Sequence, residues 1–519
     1  MSESELRPGP DEAAARVGAL AGAAGRTGEA GAPTAAETAA QVGTIGRKAG
    51  RGLRWSLVGN LGTKLGSFTI GLILARLLVP ADFGVFAVAA AATAFVMHVN
   101  DIGVIAAGVQ WRGKLEDMAP TGTSIAIAFS TLVYAAFFFG APAFATLSGT
   151  PDAAPVVRLL TVVIIVDGIT SCRSAALMRR FEQDRLTKAT MIGMAANFVV
   201  AVPLAFGGAG AYSFAGGQVA GSVVTGILVW RMGNLPFKLG LDREIAVKLF
   251  KFGIPLAASL GVESVLLNAD YVIVGNVLGA TALGYYLLAF NVSNWVPGLV
   301  GTAVRYVSIP SFSRLAEQEP EALATGVRRS VPVLVSAILP VAVLMAVLAP
   351  YMVVFLYGDQ WGPSAYVLRF LTVLMVVRML TSLAFDILTS MGATRSTVVL
   401  NAGWAIALIP ALWFGTHLDN IRGAAIAHGI VALVVALPLA VAALHRAGVP
   451  LLPVLPALIR PAIGAVLCAA ATMVVVRLVD GGVFLHLFLP GLVGMLVFVL
   501  TVVPVEQFRQ LRTRLARAR

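Results

Sequence analysis

Long apolar blocks follow one another along this chain and are separated by short polar or charged connections. Each block runs for roughly 20 residues, the length at which a helix crosses about 30 Å of hydrocarbon. The block at 331–356 lacks the alternation expected of a barrel strand. The pattern predicts an all-α polytopic membrane protein with about fourteen transmembrane helices, at approximately 55–78, 84–108, 120–141, 156–177, 189–207, 211–231, 253–278, 284–308, 331–356, 365–388, 397–414, 423–444, 458–478 and 486–505.

Composition supports lipid as the main solvent of the 519-residue chain, because 58% of the residues are hydrophobic and only 12% are charged. The net charge of +12 does not indicate nucleic acid, since the basic residues lie between apolar blocks and not in a domain with aromatic platforms. Cys172 and Cys468 are the only cysteines, and the isolated His98 and His428 lack metal-ligand spacing. No disulfide framework, metal site or cofactor site is therefore predicted.

The two ends of the chain are polar, and we expect both of them in the cytoplasm. Residues 1–46 contain no aromatic side chain and no signal-peptide pattern, which predicts a disordered tail, and 506–519 form a second, basic tail. Alternate connections carry most of the lysines and arginines, so the positive-inside rule places that set on the cytoplasmic side of the inner (plasma) membrane. This set includes Arg47, Lys48, Arg51, Arg54, Arg112, Lys114, Arg179, Arg180, Lys238, Arg243, Arg328, Arg329, Arg395 and Arg446.

An internal repeat appears at a spacing of 200 residues. The segment 77–86 aligns with 277–286, and 210–216 is echoed by 423–429. Six spans separate the copies, so two six-helix bundles are expected to share one orientation about a pseudo-two-fold axis along the membrane normal. The predicted organisation is an N-terminal bundle at 47–235, a C-terminal bundle at 236–446, and two unpaired helices at 447–505.

Several short motifs follow one another between about residues 50 and 445. They are Leu-Ala-Arg-Leu-Leu at 74–78 with Pro80 and Phe83-Gly84, Asp101-Ile102-Gly103, Asp270, Gly275, Gly284-Tyr285, Pro310, Phe-Leu-Tyr-Gly at 355–358 with Trp361, Gly392 and Gly423-Ala424-Ala425. In this order they resemble the polysaccharide or oligosaccharide flippases of the multidrug/oligosaccharidyl-lipid/polysaccharide exporter superfamily.

The resemblance implies a transporter that works by alternating access of its two bundles. Its expected cargo is an undecaprenyl-diphosphate-linked oligosaccharide repeat unit, moved from the cytoplasmic to the outer leaflet for a surface polysaccharide such as lipopolysaccharide. Its expected partners are this polyprenyl-diphosphate-linked cargo, membrane lipids, and the polysaccharide polymerase and chain-length machinery.

Charged side chains inside the spans mark candidate sites, because each costs at least about 2.5–3.5 kcal/mol at mid-membrane. Lys64, Arg76 and Arg305 are predicted to bind the anionic diphosphate of the cargo. The repeat sets position 64 opposite 264, so Lys64 and Glu263 are expected to pair across the cleft when it closes.

Three acids are candidates for coupling or gating: Glu263, Asp270 and Asp101. Glu263 and Asp270 lie seven residues apart on one helix face, where they offer a site for a coupling cation. Whether this ion is Na⁺ or H⁺ stays open.

Structural roles compete with these interpretations. Arg76 has the alternative of snorkelling to the interface, Arg305 of anchoring a cytoplasmic helix end, and Asp270 of bonding neighbouring helices. Other charges in the spans are expected to pair within a bundle, namely Asp167, Arg369, Arg378 and Asp386.

Alternative functions are a lipid II flippase or a drug or metabolite exporter of the same superfamily, since architecture does not define cargo. A membrane polysaccharide polymerase fits less well, because the connections on the outer side are short and mostly uncharged. The chain is therefore predicted not to be an enzyme.

Overall fold

The computed structural model describes residues 35–100, 104–111, 113–295, 297–298, 320–391 and 393–503. The chain divides into two compact units, Met1–Leu53 and Arg54–Arg519. The α-helices of the described part are α1 (Ala35–Leu77), α2 (Pro80–Asn100), α3 (Val104–Gln110), α4 (Leu115–Leu147), α5 (Ala153–Leu160), α6 (Val163–Arg179), α7 (Gln183–Phe206), α8 (Tyr212–Met232), α9 (Arg243–Ser293), α10 (Pro320–Tyr357), α11 (Gly362–Ser390), α12 (Thr394–Val431), α13 (Leu437–Arg446), α14 (Leu455–Leu478) and α15 (Val483–Val502).

Helix α1 begins at Ala35, inside the stretch that the sequence analysis assigned to a disordered tail. The residues 35–46 are rich in alanine, which has the highest intrinsic helix propensity. Residues 1–34 of that predicted tail lie outside the described part of the chain, as does the C-terminal tail from residue 504.

Twelve stretches of the described residues are long and apolar enough to cross a membrane. They confirm the predicted all-α polytopic class. Two of them, at Asn268–Ser293 and Ser396–Arg446, each contain a backbone break that corresponds to a predicted connection between two spans. The two breaks match predicted connections, while the count of fourteen crossings stays a prediction.

Helix α9 is a hairpin that turns at Gly279. This glycine has φ 79° and ψ −179°, a backbone conformation that glycine adopts without a steric penalty. The Asp270 carboxylate accepts a hydrogen bond from the Tyr286 hydroxyl, and the Tyr271 and Phe290 ring centroids are 5.7 Å apart. In a straight helix residues this far apart in sequence would be separated by more than about 20 Å, so the two arms must run antiparallel.

Helix α12 reverses in the same way. Asp419 and Asn420 leave helical geometry, and Asn420 has φ 50°, which asparagine tolerates better than most residues. On either side of this break Gly415 and Gly423 are in contact, and a Cβ added to one would overlap the carbonyl oxygen of the other. Each half of α12 thus corresponds to one predicted span.

Small residues allow the helices of the first six spans to approach closely. Along α1, Gly59 and Gly66 face Thr187 and Met194 of α7. Gly217 of α8 packs in turn on Asn197 of α7. Between apolar helices in lipid, such close van der Waals contact is a main source of association energy.

The last two long helices, α14 and α15, pack against each other and against α10. Gly464 meets Phe498, and Gly494 meets Thr472 and Leu344. The rest of their surface is lined by exposed aliphatic and aromatic side chains, including Leu467, Leu492 and Leu496. These helices therefore lie at the periphery with a lipid-facing surface.

Candidate transport pathway

The residues 54–235 are called the N lobe here, and 236–446 the C lobe. The Pro80 end is the end of the molecule at which α1 finishes, α2 begins and α9 turns at Gly279. Contacts between the lobes are dense at this end.

Two glycines bring α2 and the second arm of α9 together at the Pro80 end. A Cβ added to Gly84 would overlap the backbone carbonyl of Ala280, and a Cβ added to Gly284 would overlap that of Pro80. In the predicted repeat, residues 80 and 84 correspond to 280 and 284. The contact is therefore reciprocal, because each glycine meets the residue that is equivalent to the other glycine's partner. This agrees locally with the repeat, while the two-fold relation of whole bundles stays a prediction.

Arg76 joins the end of α1 to the end of α10. Its guanidinium donates through Nε to the carbonyl oxygen of Leu356 at 2.8 Å, and through Nη2 to that of Phe355. These carbonyls belong to the last turn of α10, where they have no partner within the helix. The cation therefore caps the negative end of the α10 dipole from the other lobe.

The turn after α10 also donates hydrogen bonds to the end of α1. The Trp361 indole nitrogen donates to the carbonyl oxygen of Ala75 at 2.7 Å, and the Gln360 amide nitrogen donates to the same oxygen at 3.1 Å and to that of Leu78 at 3.3 Å. Trp361 is fully buried. The end of α1 is thus hydrogen-bonded to the C lobe through both side-chain and backbone groups.

A second connection at the Pro80 end links α4 to α9. The Asn276 amide donates to the carbonyl oxygen of Leu147 at 2.8 Å. Gly275 and Gly149 leave no room for a Cβ between the two backbones, and Gly149 also has a positive φ of 65°. Together with the contacts of Arg76 and Trp361, this closes the Pro80 end by direct backbone packing.

Replacing Arg76 with glutamine should loosen this end without unfolding the protein. Arg76 is exposed, so the lost capping bonds are expected to cost only about 1 kcal/mol. Spin labels placed on the ends of α1 and α10 should show a longer and broader distance distribution. Arg477→Gln is the matched control, since Arg477 occupies the last turn of the peripheral α14. Identical distributions in R76Q and the wild type would contradict a capping role.

Lys64 lies on the side of α1 that faces the C lobe. Its ammonium group is 3.5 Å from the point where a Cβ of Gly298 would be, and the side chain remains exposed. Roughly 20 Å of helix separates it from the end of α1, which places it well inside the span. No carboxylate of the described residues lies within salt-bridge distance of its Nζ. Lys64 therefore offers a cation at the junction of the lobes.

Aromatic side chains lie beside this cation. Phe68, one turn after Lys64, meets Trp295 edge to face with 4.1 Å between ring centroids. The Trp295 ring is followed by that of Tyr357 at 6.4 Å. Phe68 and Trp295 are half-buried, so their ring edges border the same space as Lys64.

Asp270 is only 1% exposed and lies inside the C lobe. Its carboxylate accepts hydrogen bonds from the Tyr286 hydroxyl at 3.2 Å and from the backbone N–H of Tyr271 at 3.0 Å. The Tyr286 hydroxyl also contacts Nδ1 of His428 on α12 at 3.3 Å. The acid thus belongs to a buried polar cluster that joins α9 to α12, and it does not open to the space beside Lys64.

Arg378 brings α11 into the same region. Its guanidinium exerts an electrostatic attraction on Asp270 and donates to the Asn294 side-chain oxygen at 3.0 Å. It also stands 5.5 Å from the centroid of the Phe290 ring. This places Arg378 within the C lobe, as the sequence analysis expected of an intra-bundle charge.

Several predicted site residues fall outside the described part of the chain. Arg305 and Asp101 are not described, and neither is the side chain of Glu263, although its backbone lies in α9. Among the remaining charges, Asp167 accepts a hydrogen bond from Asn100 at 3.4 Å, and Arg369 is exposed beside the Tyr366 ring. The structure therefore describes Lys64, Arg76 and Asp270 among the predicted site residues, at three separate places.

Sequence alone did not indicate Trp295, Phe68 or Tyr286 as parts of these sites, and it showed His428 only as an isolated histidine without metal-ligand spacing. One signal in the sequence could have indicated Phe68. It lies four residues after Lys64, and this spacing places both side chains on one face of α1. The contact of Tyr286 with His428 joins residues far apart in sequence, so no local pattern indicated it.

The multi-pass helical fold and the relatives of this chain together define a class, the membrane transporters of flippase type. A family profile described as "Polysaccharide biosynthesis protein" matches residues 73–366, more than half of the chain. The chain belongs to this family, and the resemblance stated from the sequence motifs is confirmed.

Two curated relatives are named for polysaccharide synthesis. The succinoglycan biosynthesis transport protein ExoT of Rhizobium meliloti is 25% identical over 60% of this chain and 63% of its own length. The lipopolysaccharide biosynthesis protein WzxC of Escherichia coli is 21% identical over 72% of this chain and 76% of its own length. The family and its neighbours are transporters and flippases, which supports the prediction that this chain is not an enzyme.

Solved structures share the fold. A lipid II flippase MurJ in an inward closed conformation has a TM-score of 0.71 at 13% identity, over 88% of this chain and 99% of that one. An inward-facing multidrug resistance MATE family transporter has a TM-score of 0.53 at 16% identity, over 76% of this chain and 93% of that one. At these identities the similarity concerns architecture alone.

Proposed function

We propose that this protein moves an undecaprenyl-diphosphate-linked oligosaccharide from the cytoplasmic to the outer leaflet of the cytoplasmic membrane. The observation that carries the proposal is the exposed ammonium of Lys64, which lies inside a membrane span, at the junction of the lobes and without a carboxylate partner among the described residues. A cation is costly there unless water or an anion reaches it, and a diphosphate supplies that anion.

The neighbouring aromatic rings suit the sugar part of such a cargo. Phe68 and Trp295 present half-buried apolar edges next to Lys64, against which the apolar face of a pyranose ring packs well. The names of the relatives, which refer to succinoglycan transport and lipopolysaccharide biosynthesis, support a carbohydrate cargo.

Transport then requires the lobes to separate at the Pro80 end. Basic connections at the opposite end favour cytoplasmic termini, so the closed Pro80 end faces the outside in this proposal. The space beside Lys64 would load from the cytoplasm and release its cargo once the contacts of Arg76, Gly84 and Trp361 break. A gradient of Na⁺ or H⁺, coupled through an acid such as Asp270, would drive the cycle, and polymerase and chain-length proteins would receive the product.

Reconstituted vesicles test this function directly. The probe is undecaprenyl diphosphate carrying a short labelled oligosaccharide, and its leaflet is scored by access of an impermeant periodate reagent. The wild type should accelerate translocation, and Lys64→Gln should slow it by about tenfold or more, because a charge-assisted contact of about 1.5–3 kcal/mol is lost.

Lys248→Gln is the matched control, because Lys248 is exposed on α9 before the apolar spans. Parallel vesicles contain labelled lipid II or a cationic dye. If lipid II or the dye moves faster than the oligosaccharide lipid, the faster probe identifies the class of cargo and the proposed cargo is wrong.

A further inference from the structure

The end of α9 connects the buried acid of the C lobe with the cation of the N lobe. Asn294 closes this helix, and its side-chain nitrogen donates to the carbonyl oxygen of Phe290 at 2.8 Å. The next residue, Trp295, meets Phe68 of α1, and Gly298 faces Lys64. Any displacement of the α9 end therefore changes the surroundings of Lys64.

One side chain of α11 holds this helix end. Arg378 donates to the Asn294 oxygen at 3.0 Å and places its guanidinium over the Phe290 ring, so it contacts the last turn of α9 at two points. A bond from a charged donor is about twice as strong as a neutral one. The position of Asn294 thus depends on where the Arg378 guanidinium lies.

The Phe290 ring links the guanidinium to the Asp270 cluster, since its centroid is 5.5 Å from Arg378 and 5.7 Å from that of the Tyr271 ring, and Asp270 attracts the guanidinium. Among the described residues Arg378 acts electrostatically on this buried carboxylate, which accepts hydrogen bonds from Tyr271 and Tyr286, and His428 of α12 contacts the Tyr286 hydroxyl. When Asp270 loses its charge, Arg378 keeps the cost of partial burial and loses its counter-charge, which favours movement of the guanidinium toward water. Asn294 loses its donor in that movement.

We propose that Arg378 is a positioning residue that transmits the charge of Asp270 to the Lys64 site by holding the end of α9. With Asp270 charged, Arg378 holds Asn294, and Trp295 and Gly298 stay against α1. With Asp270 neutral, this helix end is released and the contact with Lys64 opens. The inference rests on the proposed function for its purpose, but its geometry requires no particular cargo.

Disulfide cross-linking in the full-length protein without cargo tests the proposal. The pair Lys64→Cys and Gly298→Cys reports the contact between α1 and the end of α9, and the native Cys172 and Cys468 are buried. In this background Arg378→Gln and Asp270→Asn should each lower the cross-linking rate by roughly fivefold or more, the range of a typical coupling between sites. Arg378→Lys, which keeps the charge and one donor, should restore part of the rate.

Arg369→Gln is the matched control on the same helix, because Arg369 is exposed beside Tyr366. Monodisperse elution and a helical spectrum identify folded variants, and Asn294→Ala replaces Arg378→Gln if the latter fails to fold. Unchanged cross-linking in D270N and R378Q, or an equal loss in R369Q, would overturn the proposal. If cross-linking responds as expected but the protein that retains Lys64 does not move the oligosaccharide lipid, the proposed function alone is refuted.

Discussion

Gly84→Ala should slow transport strongly, although alanine is normally the better helix residue. The added methyl group would overlap the carbonyl oxygen of Ala280, and backbone cannot rotate away as a side chain does. Overpacking of this kind costs about 1–3 kcal/mol, which is more than the roughly 1 kcal/mol that alanine gains over glycine within a helix. The Pro80 end should therefore stay open, and vesicles containing G84A should translocate the labelled oligosaccharide lipid at least about tenfold more slowly.

Gly71→Ala is the matched control, since Gly71 also lies within a helix and has open space where a Cβ would be. G71A should transport at the wild-type rate. Gly284→Ala should reproduce the G84A defect, because its methyl group would meet Pro80 in the reciprocal contact. A G84A protein with normal transport would show that the two helices need not touch during the cycle.

Reversing the charge at position 64 should be the most damaging single change at the junction of the lobes. Lys64→Glu would place an acid where the proposed cargo carries a diphosphate, and transport should fall by roughly 100-fold, equivalent to about 3 kcal/mol. If Lys64 pairs with Glu263 in a closed state, the double variant K64E with E263K should recover about tenfold of this loss. The flipping rate in vesicles measures both.

The matched control combines K64E with E244K. Glu244 lies in the first turn of the same helix α9 and is exposed, so its reversal adds the same charge at a different height. Recovery of transport in both double variants would show that the restored net charge, and not a pair with Glu263, accounts for the rescue. If neither recovers, the pairing of Lys64 with Glu263 is refuted, and Lys64 retains its proposed part in cargo binding.

Much of the architecture was predictable from sequence, because the length and apolar character of a segment indicate a membrane span. The breaks inside α9 and α12 lie where the sequence already indicated connections, at Gly279 and near Asp419. The alignment of Gly84 with Gly284 anticipated two equivalent positions. It did not reveal that each glycine faces the backbone of the other copy, since that contact depends on how the lobes pack.

The site was less predictable, because a charge inside a span indicates importance but not a partner. Arg76 was a candidate for cargo binding, and it caps the carbonyls of Phe355 and Leu356, more than 270 residues further along the chain. Asp270 was a candidate for a coupling-cation site with Glu263 or for bonding neighbouring helices, and the structure buries it against Tyr286. Such pairings arise from tertiary structure, and periodicity within one helix carries no information about them.

A tilt of the α9 hairpin about the contact of Gly84 with Ala280 would move its far end much further than the contact itself. The second arm runs for about 20 Å from Gly279 to its end at Asn294, and the bond between Asp270 and Tyr286 makes both arms tilt together. A tilt of about 10° at this contact would displace the far end by roughly 3–4 Å. A sub-ångström shift of the backbone at Gly84 would thereby become a shift of about one hydrogen-bond length at the end of α9 beside Lys64.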